Sequence, residues 1–327
     1  MFWILLAIGG LLLWGLRSHA VINTGLTEAG LKADFFVQLA RTPTYWQELS
    51  TRVASTLPSE KYAWLGSTPM MREWIGGRQL HGIRGESYSV ANKEYEAIIE
   101  VDRKELEDDQ TGGIRMRAAE MAAFAATHKD YLLEQLLING ETTGFNSYDN
   151  VTFFNAAHES GKSGAQSNTL TYAATDGDNP TIAECRAALA QAMAKMVAYK
   201  DDLGVPMRIM PTPAGFVVIC PPTQMFTWLE ALALPLAPTV SNPLGPNILQ
   251  NAARVFTFPG LTDASKWYLA KVDVPVRPFI FQDRMPIEFQ ALEGDEQRFK
   301  GRFLYGVRAR YAITYGYWQY CVCTDFT

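Results

Sequence analysis

Hydrophobic and polar positions change period several times along the chain, and those changes mark its parts. Leu26, Leu31, Phe35, Phe36 and Leu39 recur at helical spacing. Thr42-Pro43-Thr44 suits a helix start, and Trp46, Leu49, Val53 and Leu57 continue the helical spacing until Pro58. From Gly76 to Glu94 the chain is polar and glycine-rich. Tyr95, Ala97, Ile99 and Val101 then alternate with acidic residues, which predicts a strand with one wet face. Together these read as a long hairpin arm over 72–104. An isolated two-stranded hairpin is marginal in water, so the arm is expected to lie on a neighbouring subunit.

After Thr111-Gly-Gly113 comes the strongest helical stripe: Ile114, Ala118, Met121, Ala125, Tyr131, Leu132 and Leu136, stopped by Asn139-Gly140. A helix over 113–139 would be roughly 38 Å long. Residues 140–180 are turn-rich around one expected short strand, Val151–Phe154. Thr181-Ile-Ala-Glu184 is a capping box opening a helix whose inner face is Ile182, Cys185, Leu189, Met193 and Met196, ending at Gly204. Phe216–Cys220 reads as a buried strand, 223–234 as a third helix and 235–246 as a proline-rich loop. Further strands are expected at 267–274 and 279–281, and a long closing strand or strand pair alternates from Phe303 to Ile313.

Met1–Leu16 carries no charge. As a helix it would span about 24 Å, short of the roughly 30 Å hydrocarbon core. It reads as an anchor, a buried arm or upstream codons translated in frame. A native start near Val21 is the expectation.

Composition narrows the class. The chain has 327 residues and a net charge of −5, so it is no basic nucleic-acid coat. Charged residues are 19%, below the roughly 25% of soluble chains, which points to surface covered by partners. Eight Trp, fourteen Tyr and seventeen Phe supply anchors for such contacts. Cys185, Cys220, Cys321 and Cys323 have neither disulfide-framework nor metal-site spacing and read as reduced, buried thiols.

The search for catalytic chemistry returns little. Ala156 through Gly161-Lys162-Ser163 is a relaxed phosphate-loop pattern, but the residues after Lys162 are poor helix formers, and a surface loop is the better reading. Gly85-Glu-Ser87-Tyr-Ser89 lacks the last glycine of a nucleophile elbow. His19, His81, His128 and His158 have no metal-ligand spacing. No catalytic residue, metal or cofactor is expected.

A series of motifs carries a resemblance: Tyr62-Ala-Trp64-Leu-Gly66, Arg72-Glu-Trp74 with Gly76 and Arg78, Tyr88-Ser-Val-Ala-Asn92-Lys93, and Glu107-Asp-Asp109. Val276-Arg-Pro-Phe279-Ile-Phe281-Gln282 follows, then Phe303-Leu-Tyr-Gly306 and Tyr315-Gly316-Tyr-Trp318-Gln319. Over residues 21–324 the chain resembles the major head subunit of Mu-like phages and prophages. The resemblance implies an α+β, Hong Kong 97-type major capsid fold. It divides the chain into an apolar segment at 1–20, outside the family pattern, an N-terminal arm and helix at 21–60, and a peripheral domain at 61–179. That domain holds the extended hairpin loop (72–104) and the spine helix (113–139). An axial domain at 180–271 and peripheral return strands at 272–327 complete the division.

The implied function is a shell subunit that assembles as pentamers and hexamers around double-stranded DNA, in the virion, with assembly in the host cytoplasm. A scaffold or head-maturation protease and a portal are implied partners. DNA contact is expected to be weak and sequence-blind, and no membrane is expected in the mature role. Candidate intersubunit contacts are Arg72, Trp74, Arg78, Arg84 and Tyr88 on the arm, facing the acidic run Glu105, Glu107, Asp108 and Asp109 of a neighbour. A host-retained nanocompartment shell and an enzyme or binding protein tethered by residues 1–16 are the alternatives.

Overall fold

The computed structural model describes residues 28–65, 88–102, 112–212, 215–237, 245–292 and 302–327. They form two compact units. One holds the described residues up to Thr44 with Glu94–His128 and Met285–Arg310. The other holds Tyr45–Lys93, Lys129–Arg284 and Tyr311–Thr327.

In the first unit, α1 (Glu28–Arg41) places Leu31 and Phe35 against Ile114, Ala118, Met121 and Ala122. These belong to the long helix that follows the acidic run; its first half lies in this unit. Val101 of one strand, Phe289 of a second and Tyr305 and Val307 of a third close the same core. Phe35 meets Phe289 at 5.1 Å, and Phe289 stacks on Tyr305. Each such buried side chain contributes about 1.5–3 kcal/mol.

The four-stranded sheet orders β1 (Ser50–Ala54), β11 (Phe279–Leu292), β12 (Arg302–Tyr315) and β4 (Lys93–Asp102). Only Trp46–Leu49 (α2) keeps the helix expected to reach Leu57; the chain then turns into β1. The β-branched Thr51 and Val53 lie in parallel register with Ile280 and Gln282, so a partner strand overrides the helical spacing.

The arm is also redrawn. Its described ribbon pairs β2 (Ser59–Lys61) with β3 (Ser89–Ala91), Ser59 opposite Ala91. The alternating 93–102 stretch, expected to be part of the hairpin, is instead the edge strand of the four-stranded sheet. Its acidic residues suit an edge: Glu100 meets Arg302 at 2.6 Å and Glu94 meets Arg308.

The long helix is α3 (Gly113–Ile138), 26 residues, about 39 Å at 1.5 Å per residue. Beyond His128 its buried row is Leu133 and Leu137, while Tyr131, expected on the inner stripe, is 53% exposed.

A five-stranded sheet orders β5 (Thr169–Tyr172), β13 (Cys321–Phe326), β10 (Lys266–Lys271), β6 (Phe216–Cys220) and β9 (Ala253–Thr257). This corrects two expected boundaries, because β5 comes from 61–179 and β13 from 272–327, yet both pair in the sheet built by 216–271. The strand expected at 151–154 reduces to one bridge, Asn146 with Thr152. Phe153 and Phe154 serve as separate core anchors: Phe153 stacks on Tyr315 at 4.1 Å, and Phe154 meets Tyr268.

Helix α4 (Ile182–Val197) opens on the expected capping box, Thr181 accepting from Glu184 N–H and Glu184 from Thr181 N–H. Burial alone would raise the Glu184 carboxyl, but donors from Thr181 and Thr175 outweigh it and hold it at about 2. The helix stops at Val197 rather than near Gly204, which turns with φ +81° against the Lys162 carbonyl. Helix α5 (Met225–Ala233) follows a short turn at Pro222–Gln224. The proline-rich stretch beyond it closes on a two-residue ladder, β7 (Leu236–Ala237) with β8 (Gly245–Pro246).

Candidate assembly surfaces

The root of the arm is a polar lock. Gln282 of β11 is fully buried; its Oε1 accepts from the Tyr62 hydroxyl at 2.8 Å and its Nε2 donates to Asn92 Oδ1 at 2.7 Å. Asn92 donates in turn to Ser55 Oγ (2.8 Å) and to the Leu57 carbonyl (2.9 Å). One Glu60 oxygen accepts from the Thr56 and Leu57 amides and from Ser55 Oγ. These donors hold the Glu60 carboxyl below its usual range. Every buried polar side chain of this lock has a partner, as a rigid root requires.

Tyr88, an expected intersubunit contact, packs into this root within its own chain. Its hydroxyl pairs with Thr314 Oγ1, its ring lies 6.4 Å from that of Tyr62, and burial raises its phenol. An aromatic body with a polar tip suits this half-buried position inside its own chain. Arg72, Trp74, Arg78, Arg84, Glu105, Glu107, Asp108 and Asp109 lie outside the described residues, as does the segment 1–16.

Two apolar surfaces were not singled out from the sequence. On α3, Met116 is 66% and Phe124 is 76% exposed. Helix α5 buries Trp228, Ala231 and Leu232 but exposes Phe226 (72%) and Leu229, with Leu236 and Ile248 exposed beyond it. A helix apolar on both faces was legible in Met225-Phe-Thr-Trp-Leu-Glu-Ala-Leu-Ala. Exposed apolar clusters mark interaction surfaces.

Catalytic chemistry finds no constellation among the described residues. Lys162 opens no helix; its amide donates to the Asp202 carbonyl. No group of three or more His, Cys, Asp and Glu could hold a metal there. All four cysteines are free and buried, and burial pushes Cys220 up to about 11. A cleft of about 440 Å³ is lined by Glu141, Thr152, Asn155, Thr171 and Asp325, with Glu141 held by Lys266 at 2.7 Å. Among the described residues no helix is long and apolar enough to cross a membrane.

A family model described as the Mu-like prophage major head subunit gpT matches residues 25–182 and 250–326. The chain belongs to this family. It is a major capsid subunit of the Mu-like type, a structural protein and not an enzyme. It is 26% identical over 295 residues to the Mu-like prophage FluMu major head subunit of Haemophilus influenzae, covering 89% of this chain and 69% of that one. It is 33% identical over 140 residues to the major capsid protein of Escherichia phage Mu, covering 41% and 45%. A subunit from the procapsid of bacteriophage JBD30 superposes with a TM-score of 0.52 at 23% identity, covering 91% of this chain and 75% of that one. The head subunit therefore has the Hong Kong 97-type α+β fold and is part of the virion capsid.

Proposed function

We propose that copies of this head subunit assemble as pentamers and hexamers into an icosahedral shell enclosing double-stranded DNA. The family match over 25–182 and 250–326 is the observation that carries this reading. Assembly would take place in the host cytoplasm with a scaffold or head-maturation protease and a portal as partners. The net charge of −5 favours weak, sequence-blind DNA contact.

The division of labour follows the sequence. Residues 66–87, carrying Arg72, Trp74, Arg78 and Arg84, reach a neighbouring copy and face its Glu105, Glu107, Asp108 and Asp109. Each exposed ion pair is worth only about 0–1 kcal/mol, so these tune register. The larger share of the association energy falls to apolar surfaces such as Phe124 and Phe226, since obligate interfaces bury roughly 2,000–5,000 Å² and resemble cores. The long helix would serve as the spine, and the 180–271 span as most of the axial domain.

Expression of residues 21–327, gradient sedimentation and electron microscopy test the reading. Closed particles or capsomers are expected. Replacing 66–87 with a short Gly-Ser linker leaves β2 and β3 in place and is expected to give folded subunits without particles. A wild-type chain that stays a folded monomer at every concentration, salt and pH overturns the proposal. Particles that form without 66–87 remove the arm from it.

A further inference from the structure

Within the first unit, several large apolar side chains are exposed: Phe36 and Val37 on α1, Ile98 on the edge strand at 93–102, and Met116 and Phe124 on α3. The core of that unit is already closed by Leu31, Phe35, Phe289, Tyr305 and Val307. Single exposed apolar residues are ordinary, but such a set on one small unit marks a surface that something covers. Met116 and Phe124 lie about 12 Å apart along α3 and about 80° apart around it, so one segment can cover both.

Where the described chain starts favours one occupant. Arg115 Nε meets Asp34 Oδ2 at 3.0 Å, and Leu31 and Phe35 share a core with Ile114 and Ala118. The described chain therefore begins fixed against the first turns of α3. Ahead of it stand Met1–Leu16, without one charge, and then Arg17–Thr27. Those intervening residues reach at most about 40 Å. The part of α3 in this unit is about 24 Å long, so Met1–Leu16 can reach every exposed position on it. A short tether gives an effective concentration on the order of mM, which a second copy in dilute solution does not match. An uncharged segment also brings no ion to desolvate against the apolar rings.

We propose that, in the unassembled subunit, residues 1–16 of the same chain lie on Met116 and Phe124 of α3, as a cover that must leave before another copy takes that surface. Of the readings open to residues 1–16, this is the buried arm. The cover itself stands on the surface and the tether; its competition with assembly rests on the shell proposed above. Subunits of residues 21–327 lack the cover, so in them Phe124 acts on assembly alone.

Photo-crosslinking of the full chain below its assembly concentration tests this. Phe124→p-benzoylphenylalanine is expected to join residues 1–16 of its own chain, and a mixture of light and nitrogen-15 chains to give no mixed-mass product. The same probe as Phe226→p-benzoylphenylalanine, exposed in the other unit, is expected to leave residues 1–16 unjoined. In sedimentation, the full chain is expected to show a critical concentration about tenfold above that of residues 21–327, since a buried aromatic side chain is worth at least one such factor. Products at position 124 that join two chains assign the surface to a second copy and overturn the proposal. So does a full chain that floats with phosphatidylcholine–phosphatidylglycerol vesicles while position 124 stays unjoined to residues 1–16. Equal critical concentrations overturn the competition. If neither form makes particles, the shell fails, and the crosslinks still decide the cover.

Discussion

The Lys129 ammonium lies 4.3 Å from the centroid of the Trp46 ring. Phe281 and Tyr311 present their rings at 4.6 and 5.5 Å, so one cation on α3 is enclosed by aromatic faces from α2, β11 and β12. Burial lowers the Lys129 ammonium below its ordinary value, with the nearby Asp283 acting against that trend. The ring attraction, up to about 2 kcal/mol when desolvated, is thus set against a desolvation cost. Lys129→Met fits the same slot without the charge and is expected to shift stability by less than about 1 kcal/mol. Lys129→Glu sets a carboxylate against three π-faces and is expected to cost more than about 3 kcal/mol. Urea unfolding of assembly-blocked subunits separates the two; equal losses would refute the cage.

Buried phenols set the alkaline limit of the fold. Burial raises Tyr148, Tyr199, Tyr268 and Tyr315, and it brings Tyr320 up to about 12. In the unfolded chain each phenol ionises near pH 10. The folded state then holds more protons than the unfolded state, so the phenols' contribution to stability is full below about pH 10 and is lost as pH rises beyond it. Tyrosinate absorbance near 295 nm is expected to appear in two stages, exposed phenols first and the buried set only with loss of near-ultraviolet dichroism. A single early transition with the fold intact would contradict the burial assigned to these rings.

How much of this was readable before the structure depends on where each residue finds its partner. The Thr181–Glu184 box, the Phe216–Cys220 strand and the helix from Gly113 were legible because their signals are local: a cap, a continuous apolar run, a 3.6-residue period. Thr51 and Val53 were misassigned because their partners, Ile280 and Gln282, lie more than two hundred residues away. β13 was placed with the closing strands because its partners at 169–172 and 266–271 are equally remote. The contact of Tyr88 with Thr314 was not readable, because the composition of the arm says nothing of Thr314. Of the expected contact residues, Tyr88 alone falls among those described, and it packs inward. The family resemblance, spread over many short motifs, carried the function where site chemistry could not.

The buried amide of Gln282 makes the arm's root sensitive to a single change. It joins Tyr62 of one ribbon limb to Asn92 at the end of the other, 2.8 and 2.7 Å away. Gln282→Leu keeps the approximate volume and leaves the Tyr62 hydroxyl and the Asn92 amide without that partner, a cost of about 1–3 kcal/mol. Tyr62→Phe removes one bond while leaving Gln282 its donors to Asn92 and Val90, and should cost about 1 kcal/mol. The double variant is expected to fall short of the sum, since both act on one network. Hydrogen exchange should show faster exchange at Tyr62, which donates to the Tyr88 carbonyl, and at Asn92, which donates to that of Pro58. Additive losses without faster exchange there would mean that the amide merely fills space.

Phe124 and Phe226 separate folding from assembly. Their side chains are 76% and 72% exposed within a single chain, so neither supports its own unit's core. Phe124→Ser and Phe226→Ser should therefore change subunit stability by no more than about 0.5 kcal/mol. Each removes a large apolar surface whose burial against another copy would contribute about 1.5–3 kcal/mol, a term repeated at every equivalent contact in a shell. Sedimentation is expected to show a higher critical concentration for particles of either variant, with unchanged circular dichroism and thermal midpoint. A normal critical concentration for one of them would remove that residue from the interface. A loss of stability in the isolated subunit would place its ring in a core that the single chain does not show.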